Sequence, residues 1–167
     1  SYHAEGTYGG SAQPVAAVWN CGGRGSQNIA IKKGTTYTLS CYVRRGDTNG
    51  QVFAEAYYKD NASTNASARK GKLLGANFAP SSVGTWQLIA TTFSIPAGAS
   101  YNFVEVVIYL TVPTKGKTSE CWLCQPMLSE GDSYHGWSLS ERDHAYIGGN
   151  LLPGSKDLFV QAGGTVQ

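Results

Sequence analysis

The chain has 167 residues and a mass of 17.8 kDa, enough for one well-buried domain and short for two. Charged residues make up only 14%, while 21 Gly accompany 10 Tyr, 5 Phe and 4 Trp, which excludes general disorder. A net charge of +2 is too small to point to nucleic acid, and apolar runs such as 104–112 fall short of the roughly 20 residues a membrane helix needs, so neither nucleic acid nor membrane insertion is expected.

The first ten residues, SYHAEGTYGG, lack an initiator Met, a basic region and an apolar stretch, so they are neither a signal peptide nor an intact native start. Residues 1–13 are expected to form an N-terminal arm. PVAAVWN (14–20) and QNIAIK (27–32) are weak strand candidates. TTYTLSCYVRR (35–45) is a strong one: Tyr37, Leu39, Cys41 and Val43 alternate with Thr38, Ser40, Tyr42 and Arg44, placing the first set in a core and the second toward water. QVFAEAYYK (51–59) is weaker, and DNASTNASARKGK (60–72) is predicted to be a long exposed loop. Its Asn61-Ala-Ser63 and Asn65-Ala-Ser67 match glycosylation sequons, a pattern short enough to arise by chance. KLLGANF (72–78) follows.

WQLIATTFSI (86–95) presents Ile89, Thr91, Phe93 and Ile95 on one side and ends at a Pro96-Ala-Gly turn. NFVEVVIYLTV (102–112) carries the clearest apolar row, Val104, Val106, Ile108, Leu110 and Val112, opposite Phe103, Glu105, Val107, Tyr109 and Thr111. SECWLCQPML (119–128) is the last candidate. About eight strands at spacings of roughly 10 to 15 residues predict an all-β, antiparallel sandwich, with Trp86 and Trp137 plugging its ends and an irregular C-terminal tail.

Cys21, Cys41, Cys121 and Cys124 are expected to be core thiols, with disulfides or zinc as the alternatives. In a strand, the three-residue offset of Cys121 and Cys124 turns the pair to opposite faces, which disfavours chelation. Catalytic signals are weak as well. Asp132, Ser133 and His135 are too close in sequence to converge as a triad, and His3 and His144 stand without a partner motif, so no enzyme activity is expected.

Three stretches together carry a resemblance: KKGTTYTLSCYVR (32–44); GTWQLIATTFSIPAG (84–98) with VEVVIYL (104–110); and QPMLSEGDSYHGW (125–137), where Pro126-Met-Leu128, Glu130-Gly131 and Trp137 succeed one another. They closely resemble the jelly-roll domains, similar to carbohydrate-binding modules, of tail and fibre proteins of tailed bacteriophages. The resemblance implies a jelly-roll module over 14–140 and a C-terminal linker or assembly segment over 141–167. GGNLLPGSKDLF (148–159) looks like the opening strand of such a module, an element otherwise missing from the front of the chain. Leu151, Leu152, Leu158 and Phe159 are therefore expected to pack on another chain or module in a homo-oligomer. No cofactor is expected. Members that bind calcium usually draw ligands from the opening strand, so calcium is unsupported here.

The implied role is that of a non-enzymatic, extracellular virion module of a tail fibre, baseplate or head appendage, whose partners are a cell-surface glycan and other virion proteins. Two alternatives stay open: an accessory carbohydrate-binding domain of a secreted polysaccharide-degrading enzyme, and a purely architectural virion protein. Sugar recognition needs flat apolar rings with hydrogen-bonding groups beside them. Alternation assigns Tyr42, Arg44, Glu55, Tyr57, Glu105, Tyr109, Glu120 and Trp122 to the wet side of the strands, and one sheet face carrying them would bind glycan or cover a protein neighbour.

Overall fold

The computed structural model describes residues 1–23 and 28–137. Nine strands are formed among them: β1 (Tyr2–Thr7), β2 (Val15–Cys21), β3 (Ile29–Ala30), β4 (Thr36–Arg45), β5 (Gln51–Lys59), β6 (Arg69–Asn77), β7 (Gln87–Ser94), β8 (Phe103–Thr111) and β9 (Thr118–Glu130). The one helical element described is a 3-10 turn, Ala66–Ala68, which the Asn65 side chain caps by accepting from the Ser67 amide.

The strands form two antiparallel sheets, β1-β9-β4-β7 and β2-β8-β5-β6, with β3 beside β8. Without the two-residue β3, this is the order of a jelly roll. The sheets face each other across a core that draws Leu39, Cys41, Val43 and Leu123 from the first and Val52, Ala54, Ile108 and Leu110 from the second. Each fully buried aliphatic side chain contributes about 1.5–3 kcal/mol, and the period-2 rows deliver these residues to one face. Tyr37, Phe93, Val104 and Val106 extend the core at the other end. Of the expected core positions, Ile89 alone is half-buried rather than buried.

Several expectations change. The stretch taken as an arm contains β1, which pairs with β9 from Tyr2↔Leu123 to Thr7↔Thr118, so an opening strand is present at the front of the chain. QNIAIK shrinks to the short β3. The end of the expected loop belongs to β6, which begins at Arg69 because Lys59 and Arg69 pair across β5 and β6. Trp86 is 44% exposed and plugs nothing, because a turn places a ring without supplying a cavity for it, and Trp137 is exposed as well, at 43%. Cys41 and Cys121 are fully buried, Cys21 and Cys124 half-buried, and all four are free thiols.

The pairing of β9 with β4 shifts register by one residue between Ser40 and Tyr42, at a bulge that holds Gln125, a non-glycine residue with φ of 54°, and so accommodates Pro126 within the strand. Ahead of it Cys121 and Leu123 face the core; beyond it Leu128 does, opposite Leu39. The boundary at 140/141, His144, and Leu151, Leu152, Leu158 and Phe159 lie outside the described residues.

Candidate functional site

The eight residues assigned to a single wet face separate into two groups of four on opposite sheets. Tyr42 and Arg44 on β4 and Glu120 and Trp122 on β9 share the outer face of the first sheet. Glu55 and Tyr57 on β5 and Glu105 and Tyr109 on β8 share the outer face of the second. Alternation distinguishes inside from outside but carries no information on which sheet a strand joins.

On the second sheet, the Tyr109 and Phe53 rings stack at 5.2 Å between centroids with planes 25° apart. Their residues are direct cross-strand partners on β8 and β5. Two same-face positions along β5, Tyr57 lies opposite Glu105 on one side and Lys72 of β6 on the other. The Tyr57 hydroxyl donates to Glu55, whose carboxylate also pairs with Lys72. The Arg69 guanidinium stands 4.3 Å from the Tyr57 ring centroid and is bonded to Glu105.

Two of the assigned residues are not open to water. Glu105 is 1% exposed and Tyr109 7%, because β8 lies between β2 and β5 and the side chains of both neighbours close over it. Glu105 tolerates that position through its partners: Arg69 Nε and Nη2 at 2.7 and 2.6 Å, and Asn20 Nδ2 at 2.6 Å. Burial alone would raise its pKa, but the bonds from Arg69 and Asn20 outweigh it and hold the carboxyl below the ordinary range. The bond to Glu105 in turn raises Arg69. Tyr57 is also raised, first by burial and then by its bond to Glu55.

Lys59 closes one end of this face. It is wholly buried, and its ammonium donates to the Gly22 carbonyl, to Asn28 Oδ1 at 3.0 Å and to the Ser63 carbonyl at 2.7 Å. Gly22 has φ of 87°, a conformation natural to glycine, and so turns its carbonyl to the ammonium. Burial lowers the Lys59 pKa, and nearby Glu105 opposes the shift.

The first sheet's outer face is built differently. The His3 ring stacks on Trp122 at 5.2 Å with planes 20° apart, and Arg44 lies 5.0 Å from the same indole. His3 comes from β1 and Arg44 from β4, the two neighbours of β9, so the indole is flanked by its own chain. Arg44 also donates to the Gly84 carbonyl at 3.0 Å, and His3 Nε2 is 2.8 Å from Glu120 Oε1. His3 is therefore not the isolated histidine that the sequence suggests. Ser133 and His135 do meet, at 3.2 Å, in an exposed contact two residues apart.

Sequence reasoning missed Phe53, Asn20, Arg69 and Lys72. Phe53 was legible from its period-2 spacing to Glu55 and Tyr57. Arg69 and Lys72 were hidden by the polar composition of 60–72, and nothing local marks Asn20 as a partner of a residue 85 positions away.

Residues 1–117 match the family described as a carbohydrate binding domain. No curated protein matches the chain. Among solved structures, a CBM4 module is 20% identical, with 72% of this chain and 85% of that one covered and a TM-score of 0.43. The baseplate tripod of bacteriophage Tuc2009 is 15% identical, with 84% and 49% covered and a TM-score of 0.48. The CBM22-1 and GH10 modules of Clostridium thermocellum xylanase 10B, complexed with xylohexaose, are 10% identical, with 83% and 27% covered and a TM-score of 0.37.

Proposed function

We propose a glycan-attachment role for this chain, which belongs to the carbohydrate binding domain family. The binding surface is the outer face of the β2-β8-β5-β6 sheet, and a single observation carries that choice: the half-buried Phe53 and Tyr57 rings lie beside a network of Glu55, Lys72 and Arg69 already fixed by their mutual bonds. Rings and polar groups held in place before binding lose little entropy when a sugar settles on them. Trp122, enclosed by His3 and Arg44, is a poorer platform.

The module acts without catalysis and outside the cell, as part of a phage tail fibre, baseplate or head appendage. The support for the virion setting is the resemblance of residues 32–44, 84–98, 104–110 and 125–137 to phage tail and fibre jelly rolls. Tail-structure genes flanking the coding sequence are the expected finding. A polysaccharide-degrading catalytic domain in the same reading frame would overturn the virion setting and leave the glycan role intact.

The glycan role is tested on a glycan array with the parent chain, Tyr57→Ala and Phe53→Ala, and with Trp122→Ala as the variant of the opposite face. Loss of a stacking ring removes on the order of 1 kcal/mol, roughly tenfold in affinity. The two β5 variants are expected to weaken binding by about that factor, and Trp122→Ala to retain it. The reverse pattern moves the site to the first sheet.

A further inference from the structure

We propose that His3, Glu5 and Glu120 form a binding site for a divalent transition-metal ion of the zinc class, on the outer face of the first sheet and separate from the glycan surface. Each residue offers one ligand atom, and these atoms all lie within 4.8 Å of one another. Bond lengths of about 2.0–2.2 Å put donors on a shared zinc ion up to roughly 4 Å apart, so a small side-chain rotation closes the set. His3 and Glu5 are two positions apart on β1 and share a face; Glu5 lies directly opposite Glu120 on β9.

The charge balance calls for a cation. Two carboxylates directly opposite on antiparallel strands destabilise the pairing unless something neutralises them. Among the described residues no ion pair is formed by Glu5, and Glu120 meets only His3. A third carboxylate, Asp47, accepts the Glu120 amide at 3.0 Å and adds to the negative field. The nearby Arg44 is committed to the Trp122 ring and the Gly84 carbonyl.

The donor set selects the ion. Calcium takes six to eight oxygen ligands, and an imidazole nitrogen serves it poorly; one imidazole with two carboxylates suits zinc and its neighbours. The side chains of His3 and Glu120 are 47% and 35% exposed, so water can fill the remaining coordination positions. A bound ion would clip the edge strand β1 to β9, and Trp122, stacked on His3, would report it.

The test is calorimetric titration of the tag-free chain with zinc chloride at neutral pH, with thermal melting and tryptophan fluorescence alongside. One ion per chain, a rise in Tm and a change in Trp122 emission are expected. His3→Ala and Glu120→Gln should each weaken zinc at least about tenfold. Glu5→Gln gives a readout of opposite signs: it relieves the carboxylate pair, so the metal-free Tm should hold or rise while the zinc-induced rise disappears. Unchanged zinc affinity in His3→Ala, no saturable binding by the parent, or calcium competing at equal concentration would each overturn the proposal. If Glu5→Gln lowers the metal-free Tm, the residue is structural and the proposal fails.

Discussion

Glu105 on β8 holds Arg69 of β6 through both carboxylate oxygens, at 2.7 and 2.6 Å, reaching across the intervening β5 while itself 1% exposed. Breaking such a pair by removing one charge leaves the other poorly solvated, at a cost of about 3–5 kcal/mol. Glu105→Gln is expected to lower stability by that order in urea denaturation, and Glu105→Gln with Arg69→Met to recover part of it.

The same carboxylate gives a pH dependence. Its folded pKa lies below the ordinary 4.5, so between the two values the unfolded chain binds more protons. Its contribution is complete above about pH 4.5 and is lost as pH falls through the folded pKa. Urea midpoints measured from pH 6 downward should fall in this window for the parent and be flatter for Glu105→Gln.

Tyr109 does not behave as an exposed strand aromatic. It is 7% exposed and stacked on Phe53, so Tyr109→Ala should cost about 3 kcal/mol or more, lowering Tm together with any loss of glycan binding. Trp86 is the contrast: 44% exposed, it should give a change within about 0.5 kcal/mol when replaced by Ala.

Burial pushes the Cys41 and Cys121 thiols up to about 12, so they stay protonated where unfolded cysteines, with a pKa of 9.0, ionise. Stability from these thiols is complete below about pH 9 and declines as pH rises from there toward 12. In the native protein, iodoacetamide should label half-buried Cys124 well before Cys41 or Cys121, as read by peptide mass mapping.

Lys59 ties three separate segments together through Gly22, Asn28 and Ser63. Lys59→Met keeps the length of the stem but leaves those acceptors without their donor, at about 1–3 kcal/mol for each one left unsatisfied. Amide exchange at residues 60–68 is expected to quicken in this variant while the β4 core amides keep their order of protection.

The alternation Tyr37-Leu39-Cys41-Val43 and Val104-Val106-Ile108-Leu110 determined that these strands have a core side, because successive side chains must point opposite ways. The sequence also determined the all-β class, whereas it left disulfide and zinc open beside a free thiol for Cys41, and the fold decided for the thiol. Only the tertiary structure decided that Tyr42 and Trp122 lie on one outer face and Tyr57 and Tyr109 on the other, since strand order joins β4 to β9 and β5 to β8 across long stretches of chain. It also decided that the outward side of β8 is covered: period-2 spacing gives direction, whereas burial depends on neighbouring strands. His3 meets Glu120 across 117 positions because strand pairing sets that distance, and no local pattern in the chain can encode it.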